Sequence, residues 1–380
     1  MKQDSNDRRL VFPGVELLQA FPVAMTLRQI LFASLATTAF LLIGMFGSRS
    51  HISITINVDS NVTGSHERTF IMPQTFGEFK LSHTASIGGA LTEAGLQPWY
   101  QVFAPLHELM RRERSWFDRG LLAIEFVLRL GISTLFGLAI CRSAGFLFGR
   151  EESVSFRHSS KFALGRWAQG IGSIALPIGG ACLTGIGIGF ACLPANLPWI
   201  GQVYLFVVSP VVFAMGLAMA GLLLAAFVCW PFMIAAIAVD DCDGFGGFSR
   251  SYSFWTGRFA YAGWLFLVAC ALALVVRWGV WELGWFAIRC SLRASRTLLG
   301  GAFDNSVLSS YQVSILKFVS AAVSFSYFWC STTIIYLLLR KEVDRRPIDQ
   351  IAMANEQLPP RDPLPVVGIP ATDADKPSAG

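Results

Sequence analysis

Six long apolar runs, separated by polar segments, dominate the pattern of hydrophobic and polar positions along this chain. Each holds about 20 or more mostly apolar residues, which as a helix would cross the ~30 Å hydrocarbon core of a bilayer. The fourth run contains Pro210 and Pro231 and exceeds one straight span, so it forms either one tilted helix or a broken one. The predicted spans are Gln29–Phe46, Leu121–Phe148, Ile171–Leu193, Val203–Val239, Phe259–Ile288 and Val313–Leu339.

These spans predict an all-α membrane protein, a bundle of about six transmembrane helices, and divide the chain into five parts. Residues 1–28 form a cytoplasmic N-terminus with a short interfacial helix, and residues 29–46 are the first transmembrane helix. Residues 47–120 lie outside the membrane, and residues 121–339 form a five-helix transmembrane bundle. Residues 340–380, rich in Pro, Asp and Ala beyond Pro347, are predicted to be a disordered cytoplasmic tail.

The segment 47–120 predicts a small α+β extracytoplasmic cap. Apolar and polar residues alternate strictly from His51 to Val58, which is typical of a half-buried strand, and Thr69–Met72 favours a second strand. From Trp99 to Met110 the apolar residues recur on one helical face, which predicts an amphipathic helix resting on the outer membrane surface.

Composition excludes an ordinary soluble enzyme and a disordered chain. Of the 380 residues 53% are hydrophobic and 14% charged, against roughly 25% charged residues in an average soluble domain. The mean hydropathy is +0.52, and the net charge of +5 fits loops near anionic lipid. No basic block interleaved with aromatic residues predicts nucleic-acid binding, and the eight cysteines form no CxxC pair, so we expect no zinc site and no cofactor.

The distribution of Lys and Arg predicts a multi-pass protein of the cytoplasmic (inner) membrane with both termini in the cytoplasm. The short outer loops would hold Arg289, Arg293 and Arg296. The cytoplasmic segments would hold Lys2, Arg8, Arg9, Arg28, Arg150, Arg157, Lys161, Arg166, Arg250, Arg258, Arg340, Lys341, Arg345 and Arg346.

Charged residues inside the spans form the first candidate site, because burying a charge in lipid is costly. Glu125 and Arg129 lie four residues apart, so they share a helix face and can pair. With Arg277, Glu282 and Lys317 they fall toward the outer leaflet. The five residues either line a polar vestibule, or consist of one neutral pair and side chains that reach the headgroups; we favour the second interpretation.

Small residues in the third span form a candidate helix-packing surface. Ala181, Gly185 and Gly189 recur every four residues, a spacing that lets two helices approach closely, and Gly216 with Ala220 on the fourth span is a possible matching surface.

A third candidate is the loop motif after the fourth span, which contains Asp240, Asp241, Asp243, Ser249, Arg250 and Tyr252. Three carboxylates so close together can hold a divalent cation, but the spacing does not match an EF-hand. We favour a helix that begins near Phe245 with Asp243 as its N-cap. Phe245, Phe248 and Tyr252 would face the bilayer, and Arg250 would meet phosphates or the preceding aspartates.

Two stretches carry a resemblance. One runs from Ala139-Ile-Cys-Arg142 through Arg150-Glu-Glu152 to Phe162 and Trp167; the other joins Trp230-Pro231 to Asp243 and Phe248-Ser-Arg-Ser-Tyr-Ser253. The region Leu121–Phe259 resembles a family of uncharacterised bacterial multi-pass integral membrane proteins. The second stretch is also similar to the membrane domain beside some glycerophosphodiester phosphodiesterases. Because their catalytic domain is absent here, the resemblance implies a non-catalytic bundle.

No catalytic motif is found in the sequence, which favours a non-enzymatic structural, scaffolding or accessory membrane component. Its expected partners are the lipid bilayer and either another membrane protein or a second copy of the chain. The alternatives are a transporter or lipid-handling protein that uses the intramembrane charges, and a lipid-modifying enzyme with metal bound at Asp240, Asp241 and Asp243.

Overall fold

The computed structural model describes residues 15–47, 52–54, 70–72, 87–109, 115–196, 201–299 and 305–351 of the chain. A 3-10 turn, Val15–Gln19, leads into the short helix α1, Ala20–Ala24, and a second turn, Leu193–Asn196, joins two of the long helices. The long helices are α2 (Leu27–Gly47), α3 (Ile87–Leu109), α4 (Trp116–Gly149), α5 (Phe156–Cys192), α6 (Gly201–Asp240), α8 (Phe259–Leu299) and α9 (Asn305–Asp344), and α7 (Gly244–Gly257) is shorter.

Six of these helices, α2, α4, α5, α6, α8 and α9, are long and apolar enough to cross a membrane. The fourth span, which the sequence left open, is one continuous helix with both prolines inside it. A proline lacks the N–H that would bond the carbonyl four residues earlier. At Pro210 this orphaned acceptor is Phe206, whose carbonyl oxygen receives the Ser209 hydroxyl at 3.1 Å, so the helix continues with its polar group satisfied.

Helix α9 lies at the centre of the bundle, since every residue from Ser320 to Arg340 is buried. It packs against α1, α2, α3, α4, α6 and α8. Its many hydroxyl groups bond mostly to its own carbonyls one turn back, as Thr333 does to Trp329. Such small polar residues allow close packing without leaving an unsatisfied donor in an apolar environment.

The bundle is tightly packed at one end and open at the other. We call the packed end the Asp240 end; there α2 and α5 begin, and α4, α6 and α9 end. Helix α6 is buried almost throughout from Ala225 to Val239, but contains no buried residue between 202 and 224. The halves of α5 and α6 that lie away from the Asp240 end therefore pack mainly against each other, and we call them the two-helix arm.

The predicted α+β cap is not supported. Two three-residue strands, Ile52–Ile54 and Phe70–Met72, pair antiparallel with Ser53 opposite Ile71. The amphipathic helix of this segment, α3, is present, but it packs against α4, α8 and α9, whereas the sequence predicted that it rests on the membrane surface. Residues 55–69 and 73–86 of the predicted cap lie outside the described residues. Its Val102 is fully buried, and the rings of Trp99 and Phe103 contact those of α6. The apolar face that the sequence showed thus binds protein side chains, which is why α3 belongs to the bundle.

The sequence predicted the N-terminal end of the bundle better than its C-terminal end. The predicted N-terminal helix is present as the 3-10 turn and α1, with Leu17 buried and Leu18 and Phe21 exposed. The predicted tail boundary at residue 340 is wrong, because α9 continues to Asp344 and residues 345–351 fold back onto the bundle. Residues 352–380 lie outside the described residues.

Gly137 on α4 provides a test of the core packing. A Cβ atom there would lie 2.7 Å from the ring of Trp329, which is fully buried between Trp230, Phe325 and Phe328 and has no room to move. We expect Gly137→Ala to lower the free energy of unfolding by about 1–3 kcal/mol, measured by thermal unfolding in nanodiscs. The control is Gly172→Ala, where a Cβ meets nothing within 4 Å; an equal loss in both variants would contradict this account.

Candidate functional site

The predicted pair Glu125–Arg129 is formed on α4. An Arg129 Nη2 atom lies 2.6 Å from Glu125 Oε1, and the two side chains are only 4% and 8% exposed. A buried ion pair one turn apart on a single helix is neutral as a unit, which lowers the cost of placing it inside a membrane.

Arg129 also holds α3. Its Nη1 donates to the carbonyl oxygen of Gln101 at 2.8 Å. That carbonyl would normally accept from the N–H of residue 105, but residue 105 is a proline within α3 and has none. The guanidinium thus replaces the missing helical donor.

Arg277 on α8 reaches the same helix one turn away. Its Nη1 donates to Oε1 of Gln97 at 2.5 Å, and the residue is 5% exposed. Since Gln97 and Gln101 are four residues apart, they lie on one face of α3. Two buried arginines, one from α4 and one from α8, therefore each form a hydrogen bond to this face of α3.

The other two members of the predicted polar cluster do not join it. Glu282 is exposed on α8, and Lys317 is half-buried on α9. Among the described residues, neither has a hydrogen bond or ion pair to Glu125, Arg129 or Arg277. The five charges are thus not one polar lining: three of them serve the contact with α3.

At the opposite end, the Asp240 carboxylate joins three helices. Its Oδ1 accepts from Arg340 Nη1 at 2.5 Å, and its Oδ2 accepts from the Tyr336 hydroxyl and from Arg250 Nη1, both at 2.6 Å. The carboxylate side chain is 5% exposed and that of Arg340 is 1% exposed. One carboxylate at the end of α6 therefore fixes α7 and the last turns of α9; we call these four residues the Asp240 cluster.

The two neighbouring aspartates point elsewhere. Asp241 has a positive φ of 51° and pairs with Arg166 of α5 at 2.6 Å. Asp243 is the N-cap of α7, as predicted, with Oδ1 accepting from the Gly246 amide at 2.9 Å. The three carboxylates thus bind three different groups, and the described part of the chain holds no group of three His, Cys, Asp or Glu side chains placed to bind a metal.

The outer face of α7 is aromatic and polar. Phe245 and Tyr252 are exposed, as is Ser249, while Phe248 is half-buried and stacks on Tyr252. The inward face consists of small residues and Phe254, packed on α6 and α9. The predicted pairing of Arg250 with a preceding aspartate is present, so Arg250 is an anchor of α7.

Sequence reasoning missed the role of Arg142. This buried residue of α4 donates from Nη1 to the carbonyl oxygen of Ala238 at 2.8 Å, and its guanidinium lies over the rings of Phe146 and Phe162, 4.7 and 4.4 Å from their centroids. The signal was present, because Arg142 stands inside the predicted second span. Arg340 and Tyr336 were missed for another reason: their partner Asp240 is about 100 residues earlier in the chain.

The predicted small-residue surface is partly correct. Ala181 is buried, and a Cβ at Gly185 would be in ordinary contact with Met219 of α6. Gly189 is open, and so is the proposed partner Gly216. The close approaches fall instead at Gly180 and Gly187, which meet Leu222 and Met215. The spacing of small residues identified the correct helix but the wrong packing face. Small residues occur on several faces of this helix, so the spacing alone does not select one.

Cys242, between the aspartates, does not have the properties of a nucleophile. Burial raises the pKa of its thiol to about 11, although Arg250 acts in the opposite direction. A reactive cysteine requires a thiolate near neutral pH, so this thiol stays protonated and inert.

No protein-family model, no curated protein and no solved structure matches this chain. The family resemblance of residues 121–259 stays a hypothesis.

The contact between Arg129 and Gln101 leads to a test by rescue. We expect Arg129→Met to lower the free energy of unfolding by about 3–5 kcal/mol, because it leaves Glu125 unpaired and the Gln101 carbonyl without a donor. Adding Pro105→Ala restores an N–H for that carbonyl and should recover about 1–3 kcal/mol. The matched control is Pro98→Ala, whose new N–H serves the carbonyl of residue 94. Equal recovery by both alanines would refute the assignment.

The Asp240 cluster leads to a comparison of two aspartates three residues apart. Asp240→Asn removes the charge that neutralises buried Arg340, and we expect a loss of about 3–5 kcal/mol in the free energy of unfolding. Asp243→Asn keeps a good N-cap and should change the free energy of unfolding by only ~0.3 kcal/mol. Thermal unfolding in nanodiscs measures both. Similar melting temperatures for the two variants would show that Asp240 is not a structural anchor.

Proposed function

We propose that this chain is a non-enzymatic structural, scaffolding or accessory component of a membrane. The observation that carries the proposal is the use of its buried charges. Arg129, Arg142, Arg277 and Asp240 each bond one helix to another, and this is what a rigid membrane scaffold requires.

Four contacts support this interpretation. Arg129 and Arg277 hold α3 against α4 and α8, and Arg142 joins α4 to α6. The fourth contact is the Asp240 cluster, which joins α6, α7 and α9. In a transporter, by contrast, charged side chains line a path that solvent or substrate reaches. Here three of the groups that sequence analysis assigned to such a lining, Glu125, Arg129 and Arg277, are bonded to protein atoms.

The proposed location is the cytoplasmic (inner) membrane, with both termini on the cytoplasmic side. The beginning of α2 and the end of α9 lie at the same end of the bundle: Arg28 donates to the carbonyl of Val154, and Arg150, four residues earlier, donates to the segment that follows α9. That end also carries most of the basic residues of the membrane-proximal segments, which favours its cytoplasmic placement. The proposed partner is another membrane protein or a second copy of the chain.

A lipid-handling protein is the second candidate, and one observation favours it. The two-helix arm bears an open apolar groove of about 580 Å³, lined by Cys192, Leu205, Ser209, Pro210, Val212 and Phe213. An apolar groove of this size suits an acyl chain. Its one hydroxyl, that of Ser209, is already used by Phe206.

Native mass spectrometry of the full chain, extracted into nanodiscs from its own membrane, tests the proposal. A structural component should carry a stoichiometric protein partner or a second copy. Arg277→Met should lower thermal stability without changing what is bound. The control is Glu282→Gln, an exposed charge on the same helix, which should change neither stability nor bound mass.

Two results would contradict the proposal. A retained lipid or solute that disappears in Arg129→Met and Arg277→Met would favour transport or lipid handling. A monomer that carries neither partner nor ligand would argue against an accessory role.

A further inference from the structure

The chain reverses direction immediately after α9 and returns to the bundle. Helix α9 ends at Asp344, and Arg345 adopts a positive φ of 52°, which turns the backbone. Such a left-handed conformation is unfavourable for a residue with a side chain and persists when surrounding contacts fix it. We call the segment that follows, Pro347–Ile351, the C-terminal strap.

Two arginines hold the strap by its backbone. Arg340 Nη2 donates to the carbonyl oxygens of Pro347 and Gln350, at 3.1 and 2.8 Å. Arg150 donates to the carbonyl oxygens of Asp349 and Ile351, at 3.0 and 2.9 Å. Four of the five strap carbonyls therefore bind guanidinium groups at the ends of α4 and α9.

The strap packs against Gly145 and Gly149 of α4, which we call the glycine shelf. A Cβ at Gly149 would lie 2.7 Å from the carbonyl oxygen of Ile348, so a larger residue cannot stand there without displacing the strap. The side chain of Ile351 packs over Gly145 and Gly149 and is 2% exposed. Ile351 is thus the apolar anchor of the segment, while Asp349 and Gln350 face outward.

The strap and the Asp240 cluster share one guanidinium. Arg340 donates from Nη2 to the strap and from Nη1 to Asp240, and its side chain is 1% exposed. A planar guanidinium fixes both sets of donors in one orientation. When the strap is seated, Arg340 is therefore oriented for Asp240, and when Asp240 is paired, Arg340 is oriented for the strap.

We propose that the C-terminal strap is a releasable latch, coupled through Arg340 to the Asp240 cluster. Release of the strap would unseat Ile351 and free one side of Arg340. The ends of α6, α7 and α9 would then loosen. The strap suits release because it is short and few contacts hold it: four hydrogen bonds, the buried side chain of Ile351 and the half-buried side chain of Ile348. The coupling holds whichever membrane role the chain performs.

Hydrogen exchange on the full chain in nanodiscs, followed by mass spectrometry, tests the latch. Ile351→Asp places a charge on the glycine shelf and should release the strap. We expect exchange to rise about 5- to 150-fold in the strap and also in peptides covering Ile237–Gly247 and Tyr336–Asp344. The matched control is Gln350→Asp, which adds the same charge at an exposed neighbour and should leave both regions unchanged.

Coupling is reciprocal, so the effect must also run in the other direction. Arg340→Lys keeps the positive charge beside Asp240 but loses the fork that reaches the strap. We expect faster exchange in the strap of this variant. Gly149→Val, with Gly257→Val as a helix-terminal control where a Cβ meets nothing, gives a second route to release.

Three results would overturn the proposal. If Ile351→Asp and Gly149→Val both leave the strap protected, it is not a latch. If the strap opens while exchange around Asp240 stays unchanged, it is an independent cap without coupling. If Arg340→Lys leaves the strap protected, Arg340 is not the link.

Discussion

The buried carboxylate of Asp240 is the constraint on which the packed end of the bundle depends. A charge at the end of an apolar helix is costly unless hydrogen bonds satisfy it, and this carboxylate receives three. Its donors come from α7 and α9, so neutralising the charge requires those helices to lie where they do. Arg340 then extends the network to the chain after α9. The same electrostatic requirement thus fixes a helix end, an amphipathic helix and a strap.

A second polar contact organises the open half by the same principle. Inside an apolar bundle a carbonyl without a donor costs several kcal/mol, and Pro105 creates one at Gln101. Arg129 supplies the donor, and Glu125 pairs with its charge. Two groups that are each unfavourable alone are therefore stable together. This explains why α3, which is not among the candidate spans, lies among helices that are.

Local sequence patterns predicted where the helices lie in the chain better than they predicted which helices and side chains meet. The six spans follow from the length of apolar runs, and the α7 cap follows from an aspartate before a helix, because both signals lie within a few residues. The pairing of Glu125 with Arg129 was equally predictable from their spacing. By contrast, the assignment of Glu282 and Lys317 to one polar cluster assumed that charges at similar depth meet. Their helix faces separate them, and periodicity alone does not fix the rotation of a mostly apolar helix.

The sequence by itself determined that this is a helical chain with six membrane-length spans, and it located the aspartates and arginines at their ends. Only the tertiary structure decided that α3 enters the bundle, that Asp240 meets Tyr336 and Arg340, and that the chain after α9 returns to Gly149. The physical reason is range. Hydrophobic length and capping act between near neighbours, whereas the partner of a buried charge is chosen by the packing of helices far apart in the chain.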